Sequence, residues 1–379
     1  MRKIRVLWLI DELALTGGAE LFALGLATHL PGDRFDRWFC STRLADPGME
    51  QVLADAGVTH VHLDRRTKWD FHRFAPLPGV LRRERIDILH AHKFGSNVWG
   101  TMIGRAARVP IVLAHEQTWS YEGEPLRRLL DGQLIGRLAT RFIAVSSRDA
   151  ERMSSVEGVA REKVVMIPNA YVPRPQTADA DLRAELGIDP STPLIGVVAI
   201  LRPQKALSVL LEAHARLLES VPDAHVVIAG DGESRSELEG LSRQLGTAER
   251  VHFLGLRQDI DAILRSIDVA AISSDYEGTP LVAFECMANR TPLVATAVGG
   301  LPDIIRDGET GILIPPRDPE ALSHALSALL TDADRRRQLG EASAGQLGEF
   351  TIDAIANRFA DLYESLFENL EDRSGRWAT

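Results

Sequence analysis

Short runs rich in Val, Ile and Leu punctuate the first half of the chain: Ile4–Asp11, Arg37–Thr42, Val58–Leu63, Ile86–His92, Pro110–Glu116, Arg141–Ser147 and Lys163–Asn169. Runs this brief and this continuously apolar predict strands covered on both faces. Between most of them apolar side chains return every three or four positions, most clearly over residues 19–30 and 95–107, which predicts amphipathic helices. Strand alternating with helix is the pattern of a doubly wound parallel sheet.

The pattern breaks at 171–181, YVPRPQTADAD, where two prolines and no apolar period predict an interdomain linker. It then restarts, with strands expected at Leu194–Leu201, His225–Gly230, Arg250–Leu254, Val269–Ser274, Pro292–Thr296 and Gly311–Ile314. Asp318-Pro319-Glu320 reads as a helix start, Asp as cap and Pro at the first helical position. From there to Leu370 the sequence is helical, and the segment from Thr351 is free to cross back. The expected division is a first domain over 1–173, completed by a returning helix at about 356–379, and a second over 174–355. Ligands of open α/β sheets bind beyond the carboxyl ends of the strands, so two such domains are expected to face each other across a cleft lined by strand ends.

Composition narrows the setting. The 379 residues suit two cores better than one, and 45% hydrophobic with 25% charged residues excludes disordered, collagen-like and coiled-coil classes. Cys40 and Cys286 are too few for a disulfide framework or a cysteine zinc site, which points to a reducing, cytoplasmic compartment. The apolar stretch Ile4–Ile10 is far short of the roughly 20 residues that span a bilayer. The net charge of −10 conceals an asymmetry: the first 175 residues hold 25 Lys+Arg against 20 Asp+Glu, the rest 18 against 33. The clusters Arg65, Arg66, Lys68 and Arg82, Arg83, Arg85 lie in the basic half, where they read either as solvated surface or as a face for an anionic partner.

Four groups of residues fall at predicted strand ends. Gly17 and Gly18 follow the first strand and open a helix, which brings backbone N–H groups and the positive end of a helix to an anion; a tight turn explains the pair equally well. In the second domain, Glu277 lies in the loop after a strand, and Thr279-Pro280 starts a helix that leaves the amides of Leu281 and Val282 unpaired. A diphosphate can dock on those amides beside Gly278, with Glu277 turned toward a sugar and Glu285 toward a ribose diol. The alternative makes Glu277 a solvated loop residue and Glu285 the partner of an arginine. Arg202 and Lys205, between a strand and a helix, would neutralise a leaving diphosphate or serve solubility alone. His90 and His92 alternate on one strand and His115 ends the next; the three could ligate zinc, or pack at strand ends with His115 left as a hydrogen-bonding residue. The loop Gln117-Thr118-Trp119-Ser120-Tyr121 offers aromatic rings for sugars or serves as a buried anchor.

In their order and placement these motifs resemble the GT-B-fold retaining glycosyltransferases of glycosyltransferase family 4. The resemblance runs through Gly17-Gly18-Ala19-Glu20, His115, Ile167-Pro168-Asn169, Arg202-Pro203-Gln204-Lys205, Gly230-Asp231-Gly232, Phe253-Leu254-Gly255, Glu277 to Glu285, Val298-Gly299-Gly300-Leu301-Pro302 and Asp307-Gly308-Glu309-Thr310-Gly311. It implies two Rossmann-like domains and a nucleotide-diphospho-sugar as donor substrate. By the same resemblance Glu285 would hold the ribose, Glu277 the sugar hydroxyls, Lys205 with Arg202 the diphosphate, His115 the donor sugar, and Gly18 the phosphate. The base would sit by Phe253 and Leu254, and a glycan or lipid-linked acceptor by Glu116, Trp119 and Tyr121. No metal, no separate cofactor and no nucleic acid are implied, and the setting would be the cytoplasm or the inner face of its membrane, in surface polysaccharide or glycolipid synthesis.

The sequence also departs from that pattern. Ile200 stands where the family places an Arg, Ala206 where a Gly follows the Lys, Ala170 at the Gly of the Pro-Asn-Gly turn, and Arg290 at a position that is usually small. Two other readings therefore stay open: a nucleotide-sugar 2-epimerase of the same shape, and a non-catalytic nucleotide-sugar-binding subunit. A dinucleotide dehydrogenase is more distant, because no Gly-x-Gly-x-x-Gly follows either domain's first strand.

Overall fold

The structure, a computed structural model, describes residues 2–14, 17–67, 69–117, 124–174 and 181–375, with side chains to 372. The chain divides into two units, 1–172 with 349–379, and 173–348.

The first unit holds seven strands: β1 Ile4–Leu13, β2 Phe35–Ala45, β3 Thr59–His62, β4 Ile88–His92, β5 Ile111–Glu116, β6 Arg141–Ala144 and β7 Val164–Met166. They form one parallel sheet in the order β3-β2-β1-β4-β5-β6-β7. Val6, Leu7, Trp8, Leu9 and Ile10 on the central strand are all fully buried, as a sheet covered on both faces requires. β1 runs two residues beyond the expected end at Asp11, because Glu12 and Leu13 pair with Leu44 and Ala45 after a register shift.

The chain returns to this unit through the helix Ile352–Gly375, which starts ahead of the expected 356. Tyr171 donates its N–H to the Phe350 carbonyl at 2.7 Å, and Ile352 donates to the Tyr171 carbonyl at 3.1 Å. Phe359 and Tyr363 on that helix are buried against the sheet and the helix Gly18–His29; the Phe359 ring lies 6.3 Å from that of Phe22.

The second unit holds β8 Leu194–Val198, β9 His225–Ala229, β10 Val251–Gly255, β11 Val269–Ile272, β12 Leu293–Thr296 and β13 Ile312–Ile314. These too are parallel, in the order β10-β9-β8-β11-β12-β13. Ile195, Val197, Val226, Ile228 and Val294 pack with Leu210, Leu211, Leu322 and Leu326 from the helices Leu207–Leu217 and Pro319–Thr331. The order of strands reverses at β8/β11, the neighbouring central strands from which the chain proceeds outward in opposite directions. Cys40 and Cys286 are both buried and free. No helix among the described residues is long and apolar enough to cross a membrane.

Candidate functional site

In the second unit the residues singled out by sequence converge on the loops after β8 and β11. Lys205, in the short turn Pro203–Lys205, places Nζ 2.6 Å from Glu277 Oε1, and Ser274 Oγ donates to the same oxygen at 2.6 Å. Glu277 is only 7% exposed, so the solvated-loop alternative does not describe it. The two loops are stitched together by backbone as well: Ser273 Oγ donates to the Lys205 carbonyl at 2.9 Å and Asp275 N–H to the Gln204 carbonyl at 2.9 Å. Sequence spacing carried no sign of Ser274, whose hydroxyl completes the carboxylate's partners.

The turn at Gly299 supports Glu277 from behind. Gly299 sits at φ +53, and a Cβ there would overlap the Glu277 carbonyl oxygen. Gly300 N–H donates to the Gly278 carbonyl at 2.7 Å, tying the two turns together. Only a glycine permits this approach in a left-handed conformation.

The helix Leu281–Asn289 starts directly after this loop with Pro280 at its cap and no side chain capping it, so the first-turn amides of Leu281 and Val282 are presented at the positive end of the helix. Thr279 and Gly278 are buried just ahead of them. Glu285, one turn further, is 3% exposed and accepts from Arg174 Nε at 2.7 Å. Burial pushes its carboxyl above the usual range, and Arg174 opposes that push. The arginine-partner alternative for Glu285 thus describes the chain as it stands, and the partner lies 111 positions away, beyond any local pattern. Arg202 is exposed, and its guanidinium has no hydrogen-bond or ion-pair partner among the described residues. Phe253 and Leu254 lie on the edge strand β10, where the Arg235 guanidinium sits 6.0 Å from the Phe253 ring centroid.

Two departures from the family pattern acquire a physical meaning here. Ala206 adopts φ +46 and ψ 42, the left-handed conformation that glycine adopts without strain. Arg290, at φ +55, ends the helix Leu281–Asn289 in the same conformation. Ile200 is 40% exposed, an apolar side chain at a strand-end position.

In the first unit, Gly17 caps the helix Gly18–His29 in an extended conformation, and a Cβ at 17 would strike the Glu20 carboxylate. That carboxylate is buried and accepts from Lys93 Nζ at 2.6 Å, a pairing the sequence did not suggest. Asp11 is a second feature that went unread: its carboxylate accepts from Thr42 Oγ1 at 2.7 Å and lies 3.5 Å from Arg65 Nη1, so Arg65 is a buried partner and not surface charge.

His90, His92 and His115 share one face of the sheet, His92 registering with His115 across β4 and β5. All three are fully buried, and one ring nitrogen of each lies within 4.8 Å of the others, close enough to share a metal ion. They also bond among themselves: His115 Nδ1 is 3.2 Å from His90 Nε2, and His90 Nδ1 is 2.6 Å from Tyr363 Oη. Burial drives all three below the ordinary imidazole value, His92 to about 3. Asn97 fixes the backbone of His115 from both sides, donating to its carbonyl and accepting from its N–H, each at 3.1 Å. Glu116 is buried with Arg127 Nη2 3.7 Å away. Trp119 and Tyr121 lie outside the described residues.

Comparison with known proteins follows the two units. The family described as Glycosyltransferase Family 4 matches residues 16–173, and that described as glycosyl transferases group 1 matches residues 179–346. A D-inositol 3-phosphate glycosyltransferase of Nocardia farcinica is 33% identical over 313 residues, 76% of this chain and 69% of the relative. Another, from Mycobacterium sp. (strain JLS), is 32% identical over 366 residues, 86% of this chain and 81% of the relative. Among solved structures, Anabaena Alr3699/HepE in complex with UDP-glucose superposes with a TM-score of 0.81 at 22% identity, over 96% of this chain and 100% of that one, which establishes the GT-B fold.

Proposed function

The chain belongs to the group 1 glycosyltransferases, and from that membership we propose that it transfers a sugar from a uridine diphosphate sugar to a glycan or lipid-linked acceptor with retention of anomeric configuration. The observation that carries this reading is the Lys205–Glu277–Ser274 constellation ahead of an uncapped helix N-terminus. A cation, a buried carboxylate and free amides within one loop pair suit a diphosphate and the hydroxyls of the sugar it carries. That the similar HepE structure holds UDP-glucose supports uracil as the base.

In the proposed reaction the bond from the anomeric carbon to phosphate breaks, and its electron pair leaves on the diphosphate. The acceptor hydroxyl forms the new bond on the same face and gives its proton to the departing phosphate oxygen. Lys205, Arg202 and the amides of Leu281 and Val282 take up the developing negative charge, a role for which no metal is needed. Glu277 accepts from hydroxyls of the transferred sugar; Glu285 accepts from the ribose once Arg174 shares it. His115 supplies a hydrogen bond to the donor sugar, Gly17 and Gly18 admit the phosphate, and Phe253 and Leu254 border the base. Glu116, Trp119 and Tyr121 belong to the acceptor side.

A second reading of the acceptor, a phosphorylated cyclic polyol, is favoured by the names of the curated relatives and by Lys93 directly after β4 in the first unit. The test is a thermal-shift panel of UDP-, GDP- and ADP-sugars followed by product analysis with and without acceptor. Stabilisation by a UDP-sugar and product only with acceptor support the reading. Conversion of the sugar without acceptor indicates an epimerase, and stabilisation with no turnover indicates a binding subunit. We further propose contact of the basic first unit with anionic lipid at the inner membrane face; equal sedimentation with neutral and anionic vesicles would remove that element.

A further inference from the structure

We infer that Tyr363, on the returning helix Ile352–Gly375, fixes the tautomer of His115 through His90, so that His115 presents Nε2–H as a hydrogen-bond donor. The inference deepens the reading of His115 given above and rests on it.

Tyr363 is fully buried, and the only acceptor within hydrogen-bond reach of its hydroxyl among the described residues is His90 Nδ1, 2.6 Å away. A buried hydroxyl left without an acceptor is costly, so the phenol donates and His90 Nδ1 is bare. A neutral imidazole carries one proton, which places it on His90 Nε2. That nitrogen faces His115 Nδ1 at 3.2 Å, so His115 Nδ1 accepts and the His115 proton lies on Nε2. The reverse direction would have His90 donate to the phenol oxygen and strand the phenol's own hydrogen. At the far end the two directions are equal in cost, since His115 Nε2 is buried with no partner among the described residues either way. The phenol hydrogen therefore decides the direction.

The rings are held for this. The His90 and His115 rings lie 5.2 Å apart at 6°, Phe359 packs 5.4 and 5.7 Å from them, and Phe22 meets His115 edge-on at 5.6 Å. Burial keeps the imidazoles neutral, which the one-proton accounting requires. Tyr363 sits 273 positions from His90 in sequence, so a segment that leaves the first unit and returns to it supplies the group that orients the site. The consequence for specificity is that His115 meets an oxygen that accepts, a hydroxyl or carboxylate of the sugar, and disfavours a protonated amine at that position. Tyr363 and His90 are positioning residues; neither is placed against substrate.

The test combines nitrogen-15 spectra of the imidazoles in the full chain with kinetics of Tyr363→Phe. In the wild-type protein His90 and His115 should each be protonated at Nε2 and bare at Nδ1. A His115 protonated at Nδ1, or an even mixture, overturns the inference, and this measurement stands even if Tyr363→Phe fails to fold. In Tyr363→Phe the two tautomers should mix and kcat/KM should fall by about 5- to 100-fold. In a His115→Gln background, where the amide offers a donor irrespective of tautomer, Tyr363→Phe should add little further loss; full additivity overturns the inference. Undiminished transfer by His115→Ala with the expected tautomers would remove the contact between His115 and substrate, and the positioning role with it, while leaving the nucleotide-sugar activity intact.

Discussion

Lys205 Nζ and Glu277 Oε1 stand 2.6 Å apart, joining the loop after β8 to the loop after β11. The pair is largely withdrawn from water, with the lysine side chain 20% and the carboxylate 7% exposed. Removing one member strands the other, which costs more than the pair itself contributes. Lys205→Met should lower the unfolding free energy of the second unit by about 1–3 kcal/mol, measured by urea denaturation. Because the same ammonium is assigned to the leaving diphosphate, sugar transfer should fall on the order of 100–1,000-fold. Glu277→Ala should also abolish most transfer. Transfer by Glu277→Ala at the wild-type rate would sink the proposed mechanism.

Gly299 is the structural support of that carboxylate. With φ at +53 and the Glu277 carbonyl against its Cα, an alanine forces either the 299 turn or the 277 loop to move. The expected outcome of Gly299→Ala is a loss of more than about 2 kcal/mol, since both a left-handed backbone and a steric overlap oppose it. Activity should fall further than the folded fraction does, as read from turnover per folded molecule. Gly345, exposed to open space, provides the control: Gly345→Ala should leave both quantities near wild type.

Ala206 offers a change in the opposite direction. It occupies the left-handed region at φ +46, where an L side chain costs roughly 1–2 kcal/mol. Ala206→Gly relieves that strain and concedes about 0.5–1 kcal/mol to the entropy of the unfolded chain. A net gain of up to about 1 kcal/mol in denaturant unfolding is expected, with transfer unchanged or raised. A destabilised Ala206→Gly would show that the conformation is not strained.

The fold was legible because its signals are local. Each strand announced itself as a run such as Leu194–Val198, and the family motifs fell at strand ends where an open sheet places ligands. The same locality explains what stayed hidden. Arg174 meets Glu285, Lys93 meets Glu20 and Tyr363 meets His90 across 111, 73 and 273 positions, contacts that no spacing rule reaches. The reading of Arg65 as one of a surface cluster failed for the same reason, since its partner Asp11 lies 54 positions earlier. Backbone conformation is likewise silent in side-chain identity: Ala206 and Arg290 stood out as departures from a pattern, and only their φ values show that the positions favour glycine.

The buried imidazoles make stability depend on pH in a direction that can be worked out. His90, His92 and His115 are all held below 6.5, first by burial, with repulsion from His92 adding at His90 and His115. As pH falls through 6.5 the unfolded chain takes up protons that the folded chain refuses, so stability is complete above 6.5 and declines below it. For His92 the decline continues until about 3, where the folded state protonates too. Each such histidine adds a slope of about 1.4 kcal/mol per pH unit. Between pH 6.5 and 5 most carboxylates stay ionised, so the imidazoles dominate there; His60, also lowered by burial, shares in the effect. Urea unfolding of the first unit should weaken steadily across this window, and His92→Asn should remove one histidine's share of the slope whatever it does to the absolute stability. An identical slope in His92→Asn would mean that the ring at 92 is protonated in the folded protein at these pH values, and that the neutral cluster is wrongly assigned.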